Sequence, residues 1–105
     1  MQFSLTKTEK DLFHAISLIE TENECKNFLR DLLTEAEIKE FSNRWKVAQL
    51  LDQKVAYKKI EQQTGMSSTT IARIQKWLTK GMNGYKDMLN KTKIINANSA
   101  HHLPT

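Results

Sequence analysis

Apolar residues recur along most of this chain with the period of a helix. Leu12, Phe13, Ile16 and Ile19 share a face and predict a first helix beginning near Thr8. The polar run from Glu20 to Glu24 interrupts that pattern. Cys25, Phe28, Leu29, Leu32 and Leu33 then stand at i, i+3, i+4, i+7 and i+8, the stripe of an amphipathic second helix. Thr34-Glu35-Ala36-Glu37 has the form of a capping box, in which the Thr34 hydroxyl accepts from the Glu37 amide and the Glu37 carboxylate accepts from the Thr34 amide. A third helix is therefore expected from about Glu35. It carries Ile38, Phe41, Trp45, Ala48 and Leu51 on one side and Val47 and Leu50 on another. Its second half is apolar around most of its circumference, so it should be central and buried on several sides.

Asp52 to Val55 reads as a connector. A fourth helix is expected over about 56–64, a turn at Gly65-Met66-Ser67, a fifth helix over about 68–78 and a short last one over about 84–91. Residues 92–105 lack periodicity and are expected to form a flexible tail behind a single domain of residues 1–91. The chain has one Pro, the penultimate residue, so no interior position lacks an amide hydrogen. With alternating patterns hard to find, the fold class is all-α.

Charge adds a direction to this picture. Residues 1–43 hold five Lys/Arg and nine Asp/Glu, a net of −4, whereas residues 44–105 hold eleven and three, a net of +8. A basic half suggests contact with a polyanion. Cys25 is the one cysteine, which excludes an internal disulfide. The first residues contain no apolar run of signal-peptide length, and no stretch reaches the ~20 apolar residues of a membrane span. A cytoplasmic protein without a membrane partner is expected. At 105 residues the core is small, and a second copy would enlarge it.

The segment 56–78 gives the basic half a purpose, because its layout is that of a helix-turn-helix. Gly65 supplies a left-handed residue where the first helix must stop. Ser67 is an N-cap that lets the next helix restart at once. Ile60, Ile71 and Ile74 can meet across the angle. Ser68, Thr69, Thr70 and Arg73 are then left pointing outward, and a major groove admits small hydroxyls and an Arg at the start of a helix. Ser68, Thr69 and Thr70 are the expected base-edge contacts, and Arg73 the expected contact to a phosphate or a guanine edge. Lys58, Lys59 and Lys76 are expected on phosphates. The amides near Ser67 form a further phosphate position. Tyr57 is open to two roles, touching a phosphate through its hydroxyl or closing the helix pair. Glu61 departs from the motif, whose first helix commonly has Ala at this fifth position.

Three runs carry a family resemblance: FLRDLLTEAEI at Phe28–Ile38, NRWKVAQLL at Asn43–Leu51 and AYKKIEQQTGMSSTTIARIQKWL at Ala56–Leu78. They resemble the Trp repressor family, and within it the TrpR-related, YerC/YecD-like branch. The resemblance implies a six-helix fold forming an intertwined homodimer, and a transcriptional regulator, a repressor, bound to a near-palindromic operator in double-stranded DNA.

The family's corepressor pocket carries over only in part. Thr34, Arg44 and Arg73 stand at positions that match its Thr and two Arg residues. Directly after Arg73 the family has a Gly, which leaves space for the indole ring, and this chain has Ile74. Three residues later a Ser is replaced by Trp77. Four added carbons overfill such a space, and Trp77 is positioned to occupy the ligand's volume with its own indole. Thr34, Arg44, Arg73, Ile74 and Trp77 thus read as the remnant of an effector pocket, and no tryptophan corepressor or other cofactor is expected.

Other chemistry finds little support. His14, His101 and His102 have no metal-ligand spacing, and no Ser/His/Asp set, phosphate loop or carboxylate pair stands out. Neither a metal site nor an enzyme is expected. Cys25, in the apolar stripe, reads as a small buried residue. Trp45 and Trp77 sit at core spacing, which favours packing over stacking on single-stranded bases. An alternative stays open: a helical protein-interaction module that has lost DNA binding, for which Glu61 and the acidic first half leave room.

Overall fold

The computed structural model describes the backbone of residues 4–102 and the side chains of residues 4–96. Among them are six helices and no strand: α1 (Lys7–Ser17), α2 (Glu22–Leu32), α3 (Glu35–Asp52), α4 (Tyr57–Thr64), α5 (Ser68–Lys80) and α6 (Gly84–His102). None is long and apolar enough to cross a membrane. The chain divides into two compact units, Met1–Ser42 and Asn43–Thr105. The division falls where the charge changes sign.

In the first unit, short polar residues start each helix. Thr6 caps α1 in a full capping box, its hydroxyl accepting from the Glu9 amide at 3.1 Å and its amide donating to the Glu9 carboxylate at 2.9 Å. Thr21 accepts from the Glu24 amide at 3.0 Å to start α2. Thr34 and Glu37 form the expected box at α3, with distances of 3.1 and 2.9 Å. These bonds satisfy amides that a helix's first turn cannot pair internally. No residue of α1 or α2 is buried within the chain. Phe13 is 49% exposed and Leu32 45%, and a cleft of about 320 Å³ is lined by Ala15, Leu18, Ile19, Glu24 and Phe28. Cys25, expected to be buried, is only partly covered. An amphipathic stripe says that a helix has an apolar face; it does not say that its own chain suffices to cover it.

The second unit holds the core: Val47, Ala48, Leu50 and Leu51 of α3, Ile60 of α4, Ile71, Ile74 and Leu78 of α5, and Leu89 of α6. Thus the second half of α3 is enclosed as its composition requires. The end of α3 is closed by two bonds, Val55 amide to Leu50 carbonyl and Lys54 amide to Leu51 carbonyl, both 3.0 Å. This Schellman arrangement needs a left-handed residue between them. Lys54 fills that place with φ 65°, and Val55 packs back on the core. Trp45 of α3 stacks on Tyr85 of α6, with ring centroids 6.3 Å apart and planes 14° from parallel. Lys93 pairs with Asp52, linking α6 to the end of α3.

Two helices outrun their expected ends. α5 continues from Leu78 to Lys80 and stops at Gly81. There a Cβ would collide with the Trp77 carbonyl oxygen and come within 3.1 Å of the Trp77 Cα. α6 passes Lys91 and reaches His102, so the backbone of residues 92–102 is helical where an aperiodic tail was expected. That stretch lacks an apolar stripe, but it contains neither Gly nor Pro, so nothing local terminates the helix. Residues 103–105 of the expected tail lie outside the described residues.

Candidate nucleic-acid interface

The helix pair α4–α5 is built around three isoleucines. Ile60, Ile71 and Ile74 are fully buried. Each contributes roughly 1.5–3 kcal/mol of apolar burial, enough to fix the angle between two short helices. Between them, Gly65 has φ 71° and its amide donates to the Glu61 carbonyl at 2.9 Å, ending α4 with a left-handed residue. Thr64 bends back onto the Ile60 carbonyl at 2.7 Å and accepts from the Met66 amide at 3.2 Å. Ser67 then caps α5, its hydroxyl oxygen accepting from the Thr70 amide at 3.2 Å. The turn thus spans three residues. The side chain of Glu61 is exposed, so a long residue there does not obstruct the pair.

Once the isoleucines fix which way α5 faces, its other positions follow. Thr69, Arg73, Lys76 and Lys80 fall at i, i+4, i+7 and i+11, and all four are exposed. They form one stripe of a hydroxyl followed by three cations, with no acidic residue in the helix. Ser68 is exposed beside the stripe. Lys58 and Lys59 of α4 are exposed as well. Thr70 is half-buried, and its hydroxyl oxygen accepts from Ser67 Oγ at 3.1 Å, which ties it to the cap. Lys80 belongs to the basic half in sequence but was given no contact of its own, because the helix was expected to end at Leu78. The same 3.6-residue period extended by one turn identifies it.

The residues read as an effector-pocket remnant lie in both units. Thr34 is the exposed N-cap of α3 in the first. Arg44, Arg73, Ile74 and Trp77 belong to the second. Ile74 is fully enclosed and Trp77 packs against the core, so the chain's own side chains fill the space around them. Arg44 is half-buried, and its positive charge opposes the burial that raises the Tyr85 hydroxyl above its ordinary pKa. The Thr34 amide and hydroxyl hold the Glu37 carboxyl below the usual range by hydrogen-bonding its charged form. Among the described residues no cluster of His, Cys, Asp and Glu could hold a metal ion. The side chains of His101 and His102 lie outside the described residues.

Comparison with known proteins supplies independent findings. The family profile described as Trp repressor protein matches residues 7–93. The uncharacterized protein YerC of Bacillus subtilis is 37% identical over 82 residues, which cover 78% of this chain and 79% of that protein. The crystal structure of a TrpR-like protein from Eubacterium eligens is similar with a TM-score of 0.78 and 32% identity, over 84% of this chain and 91% of that one. A candidate Trp repressor from Staphylococcus aureus is similar with a TM-score of 0.78 and 36% identity, over 86% and 90% of the two chains.

Proposed function

The chain belongs to the Trp repressor family, and from that premise we propose that it is a cytoplasmic, homodimeric, sequence-specific DNA-binding regulator, a repressor, that acts without tryptophan. The observation that carries this reading is the stripe Thr69–Arg73–Lys76–Lys80 on a helix whose opposite face is locked by Ile71 and Ile74. A rigid helix with a small hydroxyl near its start and cations along it suits a major groove bordered by phosphates.

In this reading Ser68, Thr69 and Thr70 meet base edges, directly or through water, and Arg73 meets a phosphate or a guanine edge. Lys58, Lys59 and Lys76 hold phosphates and set the register, joined by the amides around Ser67. Thr70 supports its neighbours as well, since its hydroxyl is held by the cap. The exposed apolar residues of α1 and α2 suit a second copy, which would place two α5 helices on the half-sites of a near-palindrome. Independence from tryptophan is supported by Ile74 and Trp77, whose side chains fill their own surroundings.

The test is selection of genomic fragments by the purified protein at two salt concentrations, without tryptophan. Enrichment of a palindrome with half-sites about one helical turn apart is the expected result. Absence of affinity for any duplex at low salt would refute DNA binding and favour a protein-docking module. Calorimetric titration giving a micromolar tryptophan affinity would refute independence from that ligand.

A further inference from the structure

A second concave feature lies at the far end of α5. Leu51, Asp52 and Lys54 from the end of α3 and the turn after it, Gln75, Leu78 and Thr79 of α5, and Lys86 of α6 enclose about 140 Å³. At ~30 Å³ per water this is room for roughly four or five waters, or for one small polyatomic ion. Its floor includes two core residues, Leu51 and Leu78. Its wall carries one carboxylate, Asp52, which is already paired with Lys93. Among the described residues Lys54 and Lys86 make no ion pair. The cleft therefore presents two uncompensated positive charges over an apolar base. The Gln75 amide can donate beside them. The Thr79 hydroxyl cannot, because it already donates to the carbonyls of Gln75 and Lys76 at 3.2 Å.

Lys54 adds a separate observation. It stands in the left-handed region at φ 65°, where Gly or Asn closes a helix with less strain. Backbone strain at a charged residue facing a cleft is a pointer to use of that residue.

We propose that this cleft binds a small free oxyanion, a phosphate or short carboxylate group, held between Lys54 and Lys86 with the Gln75 amide as third donor. A duplex backbone is the other source of such a group. The recess is more closely matched to one compact ion than to a continuous backbone, and Gln75, Leu78 and Thr79 lie off the stripe of Arg73, Lys76 and Lys80. Because the ion would touch α5, it would link a metabolite to the helix that reads DNA. That consequence rests on the reading of the preceding section; the binding itself does not.

The experiment is an amide NMR titration of the full chain, without DNA, using sodium phosphate and sodium succinate against sodium chloride at matched ionic strength. The expected result is saturable movement of the Lys54 amide and the Gln75 side-chain amide with phosphate or succinate. Affinity should fall at least ~tenfold, or ~1.4 kcal/mol, in the Lys54→Gly/Lys86→Ala double variant. Gly accepts the same backbone angle, and position 86 is an exposed helical site, so that variant is expected to fold. Movement no different from that with chloride, or retained in the double variant, overturns the proposal. If neither anion saturates, but the double variant lowers the salt dependence of binding to generic duplex, the lysines serve the duplex and the proposal is equally overturned. DNA binding by the unaltered protein is scored separately, so the two readings can fail independently.

Discussion

Replacing Ile74 by Ala tests the packing that aims α5. Ile74 is fully enclosed and sits one position after Arg73. The change deletes three buried carbons, worth about 0.8 kcal/mol each, or roughly 2.4 kcal/mol of transfer free energy. The space left behind cannot collapse freely, because α4 and α5 are held at a three-residue turn on one side and α6 packs on the other. The loss should therefore rise toward about 4 kcal/mol, inside the ~2–5 kcal/mol seen when large core residues become Ala. A domain of this size has a total stability of roughly 5–15 kcal/mol, so the variant should be severely weakened. Ile74→Val removes one carbon and should lose only about 0.5–1.5 kcal/mol. Urea unfolding followed by far-ultraviolet circular dichroism reads both, at fixed protein concentration because self-association of the kind proposed would make stability depend on it. With an unchanged slope, the midpoint of the Ala variant should fall by more than about 1 M. An Ala variant losing less than about 1 kcal/mol, or no more than the Val variant, would refute the claim that this side chain holds the helix pair.

Lys58→Ala should weaken binding to all duplexes and flatten the slope of log affinity against log salt by about one unit; an unchanged slope would place α4 away from the backbone. Gly81→Ala should lower the melting temperature by the equivalent of roughly 1–3 kcal/mol, because its Cβ would meet the Trp77 carbonyl; a thermal melt equal to that of the unaltered protein would refute that close approach. The Glu37 carboxyl is held below its ordinary pKa of 4.5 by the Thr34 amide and hydroxyl. Its folded value being the lower one, its contribution to stability is present above pH 4.5 and disappears as pH falls through the folded value. Carboxyl NMR titration should show the lowered value, and Thr34→Ala should raise it only part of the way back, because the backbone amide at position 34, the larger cause, remains.

Features set by neighbours in sequence were the legible ones. The Thr34–Glu37 box, the left-handed Gly65 and the Ser67 cap each depend on a few consecutive residues, and each stands where its residue types place it. The same logic would have found the box at Thr6 and Glu9, two residues before the expected start of α1. The tripled isoleucines were legible because period and burial agree. Helix ends without a terminator were not: α6 continues to His102 since its residues tolerate a helix without requiring one. Coverage of α1 and α2 was illegible for a different reason. An apolar stripe fixes a face, and which chain covers it is a property of assembly. In the candidate interface, Thr70 looked equivalent to Thr69 by type. A turn of roughly 100° per residue separates them, leaving one exposed and the other tied to the cap.

Both tryptophans, Trp45 and Trp77, lie after Ser42, and Trp45 stacks on Tyr85. Indole emission thus originates in the second unit. Circular dichroism, in contrast, counts every helix in proportion to its length. Unfolding curves from the two signals that superimpose would mean that the acidic helices melt together with the basic unit. Curves that separate would mean that the dichroism contains an earlier or later event the fluorescence cannot see, and that α1 and α2 order themselves by their own equilibrium.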